Sequence, residues 1–363
     1  KDKIWLSSPH MGDAELKNVQ EAFATNWISP AGPFISLFEE NLAAYCGVKE
    51  AAVVQSGTAA IHLALRILNI QQDDVVLCQS FTFVGSTNPI LYEKATPIFI
   101  DSEKETWNMC PLALEEAIVD SLKKEKPPKA IIVVHLYGMP AKMPEIMALS
   151  QKYGIPVIED AAEVIGQTYY DKKCGSIGDL STLSFYPNKH ITTGEGGMIV
   201  FKDPKVYEKA SILRDHGMSK TKRYWHDVVG YNYRLTNMQA AIGVAQMEKF
   251  QEILAKKLKI ASFYKSALEG SLGISNLPYR VKETLHSNWL FGVLLDVGIN
   301  VEEIISELLS RGIETRPFFH SLHTMPPYKE FRTSISLDNS ETVSRRGLSL
   351  PSSVDLQEEE LQT

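Results

Sequence analysis

Apolar residues along this chain fall into short unbroken runs rather than one long one, with stretches of helical period between them. Runs rich in Val, Ile and Ala at Ala51–Val54, Val75–Cys78, Pro97–Ile100, Ala130–His135, Pro156–Glu159, Thr182–Phe185 and Met198–Phe201 predict seven strands. Such runs do not alternate, which marks strands buried on both faces. Ala59–Leu68, Leu112–Leu122 and Pro144–Tyr153 carry apolar side chains at helical spacing, the last closed by Gly154. Strands and helices in alternation predict an α/β domain with a mostly parallel seven-stranded sheet between helices.

Past residue 201 the pattern changes. A mostly helical stretch from Thr236 to Leu268 places Ala240, Ala241, Val244, Met247 and Phe250 on one face, and a second helix, Val301–Arg311, has Asn300 as its cap and Gly312 as its stop. These predict a large domain over residues 1–245, N-terminal segment included, and a smaller α+β domain over 246–363.

Composition narrows the function. The 363 residues are 44% hydrophobic and 22% charged, with a net charge of −7, so no basic stripe invites nucleic acid or an anionic membrane. The apolar runs are too short to span a bilayer. Cys46, Cys78, Cys110 and Cys174 match neither a zinc motif nor a disulfide framework. With no visible leader at Lys1, they predict reduced thiols in a cytoplasmic protein without a metal centre.

Three motifs carry chemistry. Ser184-Phe185-Tyr186-Pro187-Asn188-Lys189 runs into Gly194-Glu195-Gly196-Gly197. Most lysines are solvated, but one set between a strand and a glycine-rich turn can be partly desolvated, which makes its amine a usable nucleophile and base. Ser56-Gly57-Thr58 follows a buried strand and opens a helix, where free N–H groups and a hydroxyl suit a phosphate. An ordinary Ser/Thr cap would look the same in isolation. Asp160 ends the run Ile155-Pro156-Val157-Ile158, and a carboxylate there needs a cationic or hydrogen-bonding partner.

An amine, an anion cradle and a carboxylate together suit pyridoxal phosphate, whose ring nitrogen needs an acid partner. Glu163 lies one turn past Asp160, placed either toward that cofactor or at the surface. Phe83 either stacks on a planar ring or belongs to the core, and His135 is either a site residue or a satisfied strand-end histidine.

The ordered motifs resemble the DegT-type nucleotide-sugar aminotransferases, pyridoxal phosphate enzymes of the aspartate-aminotransferase fold (fold type I). The resemblance runs from Asn26-Trp27-Ile28-Ser29-Pro30 through Ser56-Gly57-Thr58, Val134-His135-Leu136-Tyr137-Gly138, Glu159-Asp160-Ala161-Ala162-Glu163 and Ser184 to Gly197. It continues into Gly230-Tyr231-Asn232-Tyr233-Arg234, Arg316-Pro317 and Leu350-Pro351-Ser352.

It implies Lys189 as the Schiff-base lysine and Asp160 as partner of the ring nitrogen. Glu163 would face the phenolic oxygen, Gly57, Thr58 and Ser184 would bind phosphate, and Phe83 would stack on the ring. Asn232 and Arg234 would reach the site of a partner subunit, which implies a homodimer with shared active sites. Trp27, Arg316 and His323 are expected on the substrate side.

Related ketosugar dehydratases carry histidine in place of the lysine. Aligning His190 there would break the following Thr192 to Gly197 match, so the reading is transaminase. The implied reaction moves an amino group from glutamate to a nucleotide-linked ketosugar. Segments around Trp5 and Trp107 resemble the branch acting on UDP-4-keto-6-deoxy-N-acetylglucosamine, with GDP-perosamine synthases next. A cofactor-binding regulator without turnover and a cysteine desulfurase are rival readings. Neither is favoured, because the lysine is present and no cysteine lies in a recognisable loop motif.

Overall fold

The computed structural model describes residues 3–278, 284–331 and 335–363. Within them the first strands are β1 (Glu50–Val54), β2 (Val75–Gln79), β3 (Thr96–Ile100), β4 (Pro128–Val134) and β5 (Val157–Asp160). A short ribbon, β6 (Thr168–Tyr169) and β7 (Lys172–Lys173), precedes β8 (Leu180–Ser184) and β9 (Gly197–Phe201). Seven of these form one sheet in the order β1-β9-β8-β5-β4-β2-β3. Only β9 runs antiparallel to its neighbours. The predicted mostly parallel seven-stranded sheet is therefore observed, with each predicted run inside or within two residues of a strand.

Helices cover both faces. In chain order they are α1 (Asp13–Ala24), α2 (Pro33–Cys46), α3 (Gly57–Ile67), α4 (Asn88–Tyr92), α5 (Pro111–Lys123), α6 (Met143–Tyr153), α7 (Pro204–Arg214) and α8 (Asn237–Glu248). On one face α3 and α7 bury Ile61, Leu63, Leu65 and Leu213 against Ala52, Val76, Ile132 and Ile199. On the other, α5 and α6 bury Leu114, Ile118 and Ile146 against Leu77, Ile131 and Val133, while α2 and α8 cover the β1 end. Runs buried on both faces explain why the strands read as continuous apolar stretches.

Two helical expectations need qualification. The stretch from Thr236 to Leu268 is two helices, α8 and α9 (Phe250–Leu268), interrupted at Lys249. Lys249 turns its ammonium onto Glu15 at 2.6 Å and onto the His10 carbonyl at 2.9 Å, so a tertiary contact sets the break. The division placed at 245/246 falls inside α8, and α9 shares its apolar face between the large-sheet core and the C-terminal cluster.

The C-terminal part contains β10 (Ile274–Asn276), β11 (Thr284–Leu285), β12 (Phe291–Leu295), α10 (Val301–Ser310), β13 (Arg316–Pro317), α11 (Asp338–Arg346), β14 (Gly347–Leu350) and α12 (Glu358–Leu361). A four-stranded sheet has the order β10-β12-β14-β13, and β11 joins the β6-β7 ribbon. Asn300 caps α10 by accepting from the Glu302 N–H at 3.0 Å. The N-terminal segment returns here, with Ile4 bridging Ile313 and the Ser352 N–H donating to the Leu6 carbonyl. Among the described residues no helix is long and apolar enough to cross a membrane.

Candidate active site

The carboxyl ends of β1, β2, β4, β5 and β8 and the segments after them meet in one cavity, where ligands of open α/β sheets sit. Its volume is about 330 Å³, and its wall includes Gly57, Thr58, Phe83, Ser86, Asp160, Glu163, Ser184, Lys189, Trp289 and Arg316.

The cradle comes first. Ser56 caps α3 by accepting from the Ala59 N–H at 3.1 Å, which leaves the N–H groups of Gly57 and Thr58 without an intrahelical acceptor. Among the described residues, neither the Thr58 nor the Ser184 hydroxyl has a protein hydrogen-bond partner, and both line the cavity. A Cβ at Gly57 would stand 2.9 Å from that of Ser184. The backbone there accordingly needs glycine to let helix end and strand end converge. Free N–H groups, two hydroxyls and a helix N-terminus make a donor set fitted to a phosphate dianion.

Two buried carboxylates face this cradle. Asp160 is 5% exposed and receives the Ser86 hydroxyl at 2.7 Å and the Ala162 N–H at 3.1 Å. Burial pushes its carboxyl above the ordinary range, partly offset by those two donors. Glu163 is likewise raised by burial, offset by the Lys189 charge and the Tyr137 N–H. It accepts from Lys189 Nζ at 3.1 Å and from the Tyr137 N–H at 2.8 Å, so it is no surface glutamate. A cationic aromatic nitrogen near Asp160 would satisfy the buried charge. The donor set, carboxylates and amine thus fit pyridoxal phosphate.

The neighbours of Lys189 sort themselves. His190 turns away, buried, with its Nε2 on the Ser287 carbonyl at 3.0 Å, and burial pushes it down to about 3. Phe83 is 56% exposed and belongs to the cavity wall rather than the core. His135 is a satisfied strand-end histidine, holding Glu159 at 2.9 Å and accepting from the Ala141 N–H at 2.9 Å.

Four predicted residues lie away from the cavity of their own chain. Trp27 is exposed near the start of α8, where its carbonyl accepts from the Asn237 side chain. Asn232 is exposed on the strap that bridges Asp215, and Arg234 pairs with Asp215 at 2.9 Å. His323 is buried between the Ser80 hydroxyl at 2.6 Å and Glu341 at 3.0 Å, with no surface left for a substrate. Sequence reading missed Ser86, Tyr137 and Trp289. Ser86 had a signal, since it lies in the same post-strand loop as Phe83.

The family model described as the DegT/DnrJ/EryC1/StrS aminotransferase family matches residues 9–363. The chain belongs to that family. It is a pyridoxal phosphate-dependent sugar aminotransferase of fold type I. A relative from Bacillus subtilis, EpsN, is 45% identical over 99% of this chain and 93% of its own, and is named provisionally as a pyridoxal phosphate-dependent aminotransferase. The GDP-perosamine synthase of Caulobacter vibrioides is 40% identical over 99% and 95%. Among solved structures, Helicobacter pylori PseC, an aminotransferase involved in pseudoaminic acid biosynthesis, superposes with a TM-score of 0.91 at 26% identity, covering 99% of this chain and 96% of its own.

Proposed function

We propose that this aminotransferase moves the amino group of glutamate to the keto carbon of a nucleotide-linked 4-keto-6-deoxy sugar. The sugar is read as a UDP-linked 2-acetamido sugar, made in the cytoplasm for surface glycans. The observation that carries the reading is the convergence of Lys189, Glu163 and Asp160 on one cavity at the N-terminus of α3.

When bound, pyridoxal phosphate supplies an electron sink for a carbanion at the substrate carbon. Lys189 Nζ is the nucleophile that anchors it and, once free, the base that carries the proton of that carbon. Glu163 holds this amine over the cavity. Asp160, kept acceptor-ready by Ser86 and Ala162, would hold a proton on the ring nitrogen. Gly57, Thr58 and Ser184 would hold the phosphate, and Phe83, in the cavity wall, would stack on the ring.

Arg316 lies in the cavity wall with its side chain 59% exposed and one guanidinium nitrogen on Glu314 at 3.0 Å, which leaves further N–H donors for the carboxylate or diphosphate of a substrate. The reading also holds that two copies share their sites, with Asn232 and Arg234 completing the partner's cradle. In support, both lie outside their own cavity, in a stretch of chain whose Tyr224, Trp225 and Val229 are exposed.

A second reading, a GDP-linked ketosugar as in perosamine synthesis, is favoured by the 40% identity to the Caulobacter enzyme of that name. Incubation with glutamate and a panel of UDP-, GDP- and dTDP-linked 4-ketosugars, with products read by mass spectrometry, tests both. The first reading expects an aminated UDP-sugar and 2-oxoglutarate. Amination of the GDP-sugar alone would favour the second, and no aminated product from any ketosugar would refute both.

A further inference from the structure

Tyr137, Glu163, Lys189 and Trp289 form a closed ring of contacts drawn from four separated segments. The Tyr137 N–H donates to Glu163 Oε2 at 2.8 Å, and Lys189 Nζ donates to Glu163 Oε1 at 3.1 Å. That same Nζ lies 3.6 Å from the centroid of the Trp289 ring. Trp289 in turn stacks on Tyr137, with centroids 5.9 Å apart and planes inclined by 15°.

Trp289 comes from outside the large sheet, just before β12, and is held on several sides. Its indole N–H donates to the Asn188 carbonyl at 2.6 Å, and its own carbonyl accepts from Lys257 at 2.9 Å. Lys257 also donates to the Ser352 carbonyl. Burial pushes Lys257 down to about 7, and even a neutral amine has two N–H groups for two carbonyls.

Close approach of this segment depends on Gly138, at φ +84°, where a Cβ would stand 2.5 Å from the Asn288 nitrogen. Tyr137 itself has φ +53°. That conformation is uncommon for a bulky side chain and persists only where its surroundings impose it.

An apolar side chain of similar size would fill the space beside Lys189. An indole face does more, because its negative quadrupole attracts a cation. We propose that Trp289 is a positioning residue for Lys189, its ring and the Glu163 carboxylate forming the seat that holds the lysine ammonium over the cavity whenever it is not bonded to cofactor. The proposal rests on Lys189 being the anchoring amine. Trp289 acts through that amine and not on the substrate.

The test compares Trp289→Phe, which keeps a π face, with Trp289→Leu, which does not. In the full chain dialysed free of cofactor, brief labelling with acetic anhydride and peptide mass spectrometry gives the modification of Lys189 relative to the exposed Lys124. Trp289→Leu should raise it by about three- to thirty-fold, the range a cation–π contact supports, and Trp289→Phe should fall between. In the loaded enzyme Trp289→Leu should lower kcat with little change in the ketosugar KM, and Trp289→Phe should recover most of the loss.

Wild-type labelling of Lys189 in a Leu variant that melts like wild type would overturn the proposal, whatever happens to activity. If the Leu variant does not fold, Trp289→Met replaces it in the same comparison with the same two outcomes. Failure of the anchoring assignment would show separately, as borohydride fixing the cofactor to a different lysine while the labelling contrast stands.

Discussion

Ser86 donates a 2.7 Å hydrogen bond from its hydroxyl to Oδ2 of Asp160, and both side chains are buried in the cavity wall. Ser86 is among the groups that hold Asp160 back toward its ionised form against the opposing effect of burial. Ser86→Ala leaves the Ala162 N–H as the remaining donor to that carboxylate and raises the carboxyl further. A hydrogen bond to a charged group contributes about 1.5–3 kcal/mol, so cofactor affinity, measured by fluorescence titration, should weaken at least about tenfold. Unchanged affinity would mean that the ionised Asp160 does not hold the ring nitrogen.

Assembly gives a second test. Asn232 lies outside the cavity of its own chain, and the shared-site reading assigns it to the partner's. Homodimers of Asn232→Ala and of Lys189→Ala should each be nearly inactive, while mixed dimers should regain activity from the one composite site in which both residues are intact. Mixed dimers, verified by mass spectrometry, that stay as inactive as their parents would remove the shared-site reading.

Glu159, fully buried beside Asp160, makes an acid-stability prediction. Burial alone would raise its carboxyl, but the His135 hydrogen bond, with the Gly175 and Gly178 N–H groups, outweighs that and holds it down to about 2. A depressed carboxylate stabilises the fold above its unfolded value near 4.5 and loses that contribution as pH falls toward 2. The contribution is on the order of 3 kcal/mol. Thermal melts from pH 7 to 3 should show Glu159→Gln less stable at pH 7 and with a flatter decline in acid. Parallel declines would assign the acid sensitivity to other groups.

The large sheet was legible because its strands are buried on both faces, which forces unbroken runs such as Ala130–His135, and because glycines such as Gly154 stop helices where the backbone turns left-handed. Asp160 and Lys189 were legible for a related reason, since Asp160 ends β5 and Lys189 lies in the loop after β8, and strand ends locate the cavity. Trp289 and Tyr137 were not. Their relation to Lys189 depends on the close passage of residues 288–289 over Gly138, a long-range fit that leaves no period in the sequence. His323 was misplaced because a histidine near Arg316 reads alike whether it faces a substrate or bridges Ser80 and Glu341.

Every role proposed for the cavity depends on one covalent bond, that between the cofactor and the Lys189 amine. Borohydride reduction of the yellow, cofactor-loaded protein, followed by proteolysis and mass spectrometry, reads it directly. The pyridoxyl group should appear on the peptide containing Asn188, Lys189 and His190, attached to Lys189, and should be absent from Lys189→Ala. A pyridoxyl group on any other lysine, or none on a protein that absorbs as the loaded form, would contradict it.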